Sequence, residues 1–103
     1  MIEVRLEIWI PLGELEAGFC KVSETCVLRK EKLEDGTTGK EFFGRLADQY
    51  DPVRTKIFDK EKGTFYPEVV VTLNDRIISP SDVCNRILRN KDKISVLPVF
   101  SGG

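Results

Sequence analysis

The chain has 103 residues, of which 41% are hydrophobic and 32% charged, and its formal net charge is -1. This length suits one domain with its own core. The balanced charge argues against a nucleic-acid-binding protein, which would carry a basic excess. No stretch approaches the roughly 20 apolar residues that span a bilayer. We therefore expect a cytoplasmic protein that binds neither nucleic acid nor membrane.

The chain contains no histidine and three cysteines, Cys20, Cys26 and Cys84, without a CxxC pair. Histidine is the commonest general base and metal ligand, so its absence counts against an enzyme or a metal protein. The odd number of cysteines indicates reduced thiols. They serve either as packing residues or as persulfide carriers, and we favour packing.

The first predicted element is a strand over residues 2–10, where apolar and charged side chains alternate. Trp9 lies on its polar face, where it either covers the sheet or contacts a partner. A second strand is predicted at about residues 25–32, paired with the first as a hairpin. The stretch 13–23 between them is less regular.

The segment EDGTTGKEFFGRLADQY predicts a loop followed by a helix. Thr38 is a good N-cap, and Glu41 has capping-box spacing from it. Phe43 and Tyr50 lie on one apolar stripe at helical spacing, which predicts a buried face. Pro52 ends or bends this helix.

The segment EVVVTLND predicts a central strand, because apolar residues occupy both of its faces. Asn74 and Asp75 predict a turn, and Ile77 and Ile78 a short bridging strand. SPSDVCNRILRN predicts a short helix or turn, and DKISVLPVF the last strand. Within SPSDVCNRILRN, three side chains are expected to point inward: Val83, Ile87 and Leu88.

This order of elements predicts an α+β fold, in which one main helix packs across one face of a mixed sheet of about four to five strands. The first and last strands pair in the middle of the sheet. The predicted domain covers residues 1–99, and residues 100–103 form a flexible Gly-Gly tail. Four residues of the central pair are expected in the core: Val4, Leu6, Ile94 and Val96.

The tail DKISVLPVFSGG resembles the ending of the ubiquitin-like sulfur-carrier family (MoaD/ThiS), which includes the molybdopterin synthase small subunit and the thiamine sulfur carrier. EDGTTGKEFFGRLADQY and EVVVTLNDRII resemble that family's first helix and central strand. The resemblance covers most of the chain in the correct order and implies a β-grasp fold. Asp75 replaces a common glycine, Val99 replaces a second proline, and residues 13–25 and 54–67 are extra, which leaves the pathway open.

The resemblance also implies the chemistry. A partner adenylyltransferase uses ATP to convert the Gly103 carboxylate into an acyl-adenylate, and a sulfur donor of desulfurase or rhodanese type displaces AMP. The resemblance implies that the resulting thiocarboxylate delivers sulfur to a cofactor precursor, with that of molybdopterin favoured, within a complex with a large catalytic synthase subunit. The chain lacks GxxxxGK and GxGxxG motifs. It is therefore expected to be a carrier or small subunit without tightly bound cofactors, and not a catalyst on its own.

Six residues near the carboxyl end are the candidate site. Gly103 carries the reacting carboxylate, and Gly102 lets the tail thread into a narrow active site, because glycine accepts any backbone conformation that the site imposes. The side chains of Leu97 and Val99 point opposite to those of Val96 and Phe100, so they cannot all be buried under one helix. The partner-binding candidates are therefore Leu97, Pro98, Val99 and Phe100.

Two other functions remain open on the sequence alone. The activated Gly103 could instead acylate lysines, as ubiquitin-like protein modifiers do. A third reading is a β-grasp binding module whose tail is inert, and deletion of Gly102 and Gly103 distinguishes it from the other two.

Overall fold

The computed structural model describes residues 1–9, 20–23 and 26–98; for residues 20–23, 26, 27 and 98 only the backbone is described. The strands are β1 (Ile2–Ile8), β2 (Cys20–Ser23), β3 (Cys26–Leu33), β4 (Phe58–Asp59), β5 (Thr64–Phe65), β6 (Val69–Leu73), β7 (Arg76–Ile78) and β8 (Lys93–Pro98). The helices are α1 (Gly39–Gln49), α2 (Asp51–Lys56) and α3 (Pro80–Asn85). None of these helices is long and apolar enough to cross a membrane.

Six strands form one mixed sheet in the order β2-β3-β1-β8-β6-β7. The central strands β1 and β8 are parallel, with Leu6 opposite Ile94 and Ile8 opposite Val96, whereas their outer neighbours pair antiparallel. The predicted central pairing is therefore confirmed, and its four predicted core residues are completely buried. With α1 packed across one face, this is a β-grasp fold, as predicted.

Helix α1 begins as the sequence indicates. Thr38 Oγ1 accepts a hydrogen bond from the Glu41 backbone N–H at 3.2 Å, and the Glu41 carboxylate lies 3.2 Å from the same hydroxyl. The helix ends at Gln49, and Pro52 occupies the first turn of α2, where a proline costs no helical hydrogen bond. Tyr50, between the two helices, is half-buried.

An aromatic cluster fills the space between α1 and the β4–β5 hairpin. The ring of Phe43 lies 4.7 Å from that of Phe65 and 6.2 Å from that of Phe58, and 5.2 Å from the ring of Phe42. All four side chains are buried. The extra segment 54–67 thus enlarges the core beneath the sheet.

The structure differs from the sequence-based expectation in two places. The main sheet has six strands, against the four to five predicted, because β2 spans only four residues, too few for their alternation to mark a strand. The prediction that Ile87 points inward is wrong, since it is 59% exposed, whereas Val83 and Leu88 are buried. Ile87 lies in extended backbone bridged to Thr38, so its side chain points opposite to that of Leu88.

Gly39, the first residue of α1, lies against α3. A Cβ at this position would collide with the backbone carbonyl of Val83, whereas a Cβ at Gly44 in the same helix would meet nothing within 4 Å. We expect Gly39→Ala to destabilise the protein by about 1–3 kcal/mol through overpacking. Gly44→Ala is the matched control and should stabilise it by roughly 0.5–1 kcal/mol. Urea denaturation of both variants gives the change in unfolding free energy of each. An increase in that free energy for Gly39→Ala would contradict the close contact with Val83.

Candidate functional site at the carboxyl end of β8

Strand β8 leads directly into the Gly-Gly segment and is fixed on both sides. It pairs parallel with β1 from Lys93 to Val96 and antiparallel with β6 from Ile94 to Pro98. The side chains of Ile94 and Val96 are fully buried. The last described residues before the Gly-Gly segment are therefore held by a central strand of the sheet.

A polar cluster fixes the start of β8. The Asp92 carboxylate, 5% exposed, accepts hydrogen bonds from the Asn74 amide (3.1 Å), the Arg86 guanidinium (3.3 Å) and the Arg89 backbone N–H (2.9 Å). Asn74 Oδ1 also accepts from the Lys93 backbone N–H at 2.9 Å. Asn74 and Asp75 both have positive φ, 52° and 70°, which is the two-residue turn that closes the β6–β7 hairpin.

This cluster makes the folding stability depend on pH. Burial alone would raise the pKa of Asp92, but hydrogen bonds from Arg89, Asn74 and Arg86, with the charge of Arg86, outweigh it and hold the pKa below its usual value of 3.8. A carboxyl group with a lower pKa in the folded state stabilises that state when it is ionised. The contribution is complete well above pH 3.8 and is lost as the pH falls through the folded-state value.

We therefore expect Asp92→Asn to lose about 2 kcal/mol of stability at neutral pH, because it removes charge-assisted hydrogen bonds from a buried site. The difference from the wild type should shrink as the pH falls below about 4, where the free carboxyl group takes up its proton. Urea denaturation at several pH values gives this comparison. A difference that stays constant with pH would show that the carboxylate charge is not responsible.

The structure describes two of the six predicted site residues, Leu97 and Pro98. Leu97 is half-buried on the sheet face opposite α1, which agrees with the expectation that at least one apolar residue near the tail is partly exposed. Pro98 is the last residue of β8 and pairs with Val69. The remaining predicted residues, Val99, Phe100, Gly102 and Gly103, lie outside the described residues, and their roles stay predictions.

The face of the sheet opposite α1, here called the open face, also carries an aromatic residue whose role the sequence left open. Trp9 is 40% exposed, and its backbone N–H donates to the Val96 carbonyl at 2.8 Å, which places it beside Leu97. Its indole N–H donates to the Glu7 carboxylate at 3.4 Å. Ile77, 82% exposed on β7, was predicted as part of a strand but not as a surface residue.

Other groups in the described part of the chain offer little for catalysis. No cluster of three or more Cys, Asp or Glu residues there could hold a metal ion. Cys84 is buried and free, and burial raises the pKa of its thiol despite the opposing effects of Lys40 and Thr64. A buried thiol with a raised pKa is a poor nucleophile, which agrees with the packing interpretation for Cys84.

The mixed sheet with parallel central strands, and α1 packed across one face, defines a ubiquitin-like protein of the β-grasp class. The sequence profile of the ThiS family matches residues 21–103, and the chain belongs to that family. No curated protein matches the chain.

Solved structures from Haloferax volcanii share the fold. The solution structure of the HVO 2177 protein is 22% identical, with a TM-score of 0.68 over 99% of this chain and 87% of that one. A crystal structure of SAMP1 is 17% identical, with a TM-score of 0.66 over 98% of this chain and 99% of that one. A crystal structure of small archaeal modifier protein 1 is 14% identical, with a TM-score of 0.66 over 97% of this chain and 100% of that one.

Proposed function

We propose that the protein is a sulfur carrier whose working group is the Gly103 carboxylate. The observation that carries the proposal is the match to the ThiS family, which runs through β8 to Gly103. The rigid attachment of β8 supports it, because a tail that must enter another protein's active site needs a fixed point of departure. The two terminal glycines support it as well, since they give the thinnest and most adaptable backbone.

The proposed reaction overcomes the low electrophilicity of a carboxylate. A Gly103 oxygen attacks the α-phosphorus of ATP on a partner adenylyltransferase, pyrophosphate leaves, and an acyl-adenylate forms. The terminal sulfur of a persulfide donor, of desulfurase or rhodanese type, then attacks the carbonyl carbon and AMP leaves. A thiol reductant cleaves the resulting acyl disulfide, which leaves a thiocarboxylate at Gly103.

Trapping of the acyl-adenylate tests this function. The full chain is incubated with ATP and extract of its own cells in the presence of hydroxylamine, which converts an activated carboxyl group into a hydroxamate. We expect an ATP-dependent hydroxamate located at Gly103 by mass spectrometry of the carboxyl-terminal peptide. A chain that stays unmodified with active extract, or a hydroxamate confined to other carboxyl groups, would contradict the proposal.

The recipient of the sulfur is a finer proposal. Molybdopterin is the recipient that the sequence resemblance favours, and the ThiS family match supports the thiamine precursor as the alternative. If molybdopterin is the recipient, removal of the gene should abolish the activity of molybdenum enzymes. If cells without the gene instead need added thiamine and keep active molybdenum enzymes, the thiamine precursor is the recipient.

Conjugation to lysine is the second candidate, because the fold resembles the small archaeal modifier protein 1 of H. volcanii. The same acyl-adenylate would then acylate a lysine Nζ on a target protein. Peptides in which Gly103 is joined to a lysine, found by mass spectrometry of cell extract, would support conjugation. Their absence, with a thiocarboxylate present, would leave carriage as the function.

A further inference from the structure

Three of the five prolines stand where central strands of the sheet begin or end. Pro98 is the last residue of β8, Pro67 precedes β6 by two residues, and Pro11 follows the end of β1 by three positions in the sequence. The other two, Pro52 and Pro80, occupy first turns of helices, where proline is well tolerated. Because β1 and β8 are parallel and β6 runs antiparallel to β8, the three strand ends lie at the same edge of the sheet.

The hydrogen bonds between β1 and β8 follow a regular pattern that Pro98 interrupts. The backbone N–H of Arg5 donates to the Asp92 carbonyl at 2.9 Å. Four residues further on, the N–H of Trp9 donates to the Val96 carbonyl at 2.8 Å. In a parallel pair with this register, the next bond runs from the N–H of residue 98 to the Trp9 carbonyl. Proline has no N–H, so this bond cannot form.

The bond that would come after it lacks a donor as well. In the same register, the N–H of residue 11 would donate to the carbonyl of residue 98. Residue 11 is also a proline, and it lies outside the described residues. Two consecutive bonds of the parallel ladder are therefore excluded by the sequence, one through each strand.

Strand β6, on the other side of β8, begins opposite Pro98. Its first residue, Val69, pairs with Pro98 and donates its N–H to the Tyr66 carbonyl at 3.2 Å. This bond closes a turn with Pro67 in the second position, where proline is favoured. The Tyr66 hydroxyl donates to the Arg54 carbonyl at 2.7 Å, which holds the chain before the turn towards α2. The described residues before Val69 thus provide no strand that β8 could pair with beyond Pro98.

The residue types that follow Pro98 would otherwise favour pairing. Val99 and Phe100 are of the kinds enriched in strands, and they directly follow a central strand. A segment paired with β1 would have to be released before its carboxylate could enter another protein's active site. A chain that binds only when unpaired has an apparent affinity reduced by its unpaired fraction.

We propose that Pro98 ends the sheet and keeps the residues after it from pairing with β1, so that the Gly103 carboxylate can enter the adenylating active site without prior release. Pro98 is thus a positioning residue, which acts through the backbone hydrogen bond that it prevents, and Pro11 excludes the next bond. This role is distinct from the partner contact that the sequence predicts for Pro98, because it is observable in the free chain. Only its consequence for activation rests on the proposed function.

Hydrogen exchange of the free chain, resolved by residue with NMR, tests the pairing. Pro98→Ala combined with Pro11→Ala restores both donors. Each net hydrogen bond shifts an equilibrium by roughly fivefold, so exchange should slow by about tenfold or more at the amides of residues 11, 98 and 100. The amides of residues 99 and 101 point away from β1 in this register and should stay unprotected. In the wild type the Phe100 amide should be unprotected. Pro80→Ala is the matched control and should keep the wild-type pattern.

ATP-dependent hydroxamate formation at Gly103 tests the consequence for activation. Each full-length variant is titrated into ATP, hydroxylamine and extract of cells that lack the gene. Pairing lowers only the competent fraction of the chain, so the double variant should raise KM by about tenfold and leave the maximal rate unchanged. Pro11→Ala alone should raise KM in the same direction, although residue 11 is not a predicted partner contact. Pro80→Ala should keep the wild-type KM.

The outcomes distinguish this inference from the proposed function. A Phe100 amide already protected in the wild type, or a double variant without alternating protection, would overturn the inference. A raised KM without that protection would overturn it too, since Pro98 would then act by contact with the partner. Alternating protection with an unchanged KM would overturn the role in activation. No hydroxamate with the wild-type chain would overturn the proposed function, whereas alternating protection in the double variant would still support the end of the sheet at Pro98.

Discussion

Removal of Gly102 and Gly103 is expected to abolish sulfur transfer while leaving the domain folded. Among the residues that the structure describes, Val96 is the last one in the buried core. The deletion therefore leaves every described core residue in place while it removes the carboxylate proposed to react. Cells that carry the shortened gene should lose the dependent cofactor completely. The thermal unfolding midpoint of the purified chain should remain that of the wild type, and this shared midpoint is the control for folding.

Gly103→Ala is a milder change than the deletion and should slow the activation of the carboxylate rather than abolish it. It keeps a terminal carboxylate but places a Cβ against the reacting carbon, and small displacements of reacting groups cost roughly 10²-fold in rate. Hydroxamate trapping under ATP should therefore slow by about that factor. Normal cofactor production in cells that carry the deletion would contradict sulfur carriage. If wild-type cells also form no Gly103–lysine adducts, the binding module with an inert tail is the remaining interpretation.

Phe43→Ala is expected to have the largest effect on stability. The side chain is completely buried, and its ring contacts three other buried rings on α1, β4 and β5. Truncation of a buried phenylalanine to alanine costs about 3–5 kcal/mol. That is a large part of the roughly 5–15 kcal/mol that stabilises a domain.

Urea denaturation of Phe43→Ala and of Ile77→Ala gives the comparison. Ile77 is 82% exposed, so its truncation should change the unfolding free energy by less than about 0.5 kcal/mol. A loss below about 1 kcal/mol in Phe43→Ala would mean that the aromatic cluster does not hold α1 against the β4–β5 hairpin.

Local patterns in the sequence predicted the local structure. The alternation in β1 predicted which residues are buried, and the Thr38–Glu41 spacing predicted the start of α1, because both patterns depend on neighbours within one element. Strand β2 was not predicted, because alternation over only four residues is too short to distinguish a strand. Ile87 was misplaced because helical spacing was extended past Asn85, where α3 ends.

Contacts distant in sequence were harder to predict. The sequence indicated a turn at Asn74, and Asp92 stands at the start of the predicted last strand. The hydrogen bond between them joins residues 18 positions apart and depends on the β6–β8 register, which no local pattern predicts. The placement of Arg5 opposite both Lys30 and Lys93 likewise depends on the registers of three strands. The proposed role of the Gly-Gly segment rests on resemblance, since a terminal carboxylate is a group that no periodic pattern marks.

The most direct test of sulfur carriage is the intact mass of the protein isolated untagged from its own cells. We predict a species heavier by the difference between sulfur and oxygen, located at Gly103 and reactive with a thiocarboxylate-specific reagent, which excludes oxidation of nearly equal mass. A chain that ends in an unmodified Gly103 carboxylate, even after incubation with ATP, sulfide and cell extract, would contradict the account.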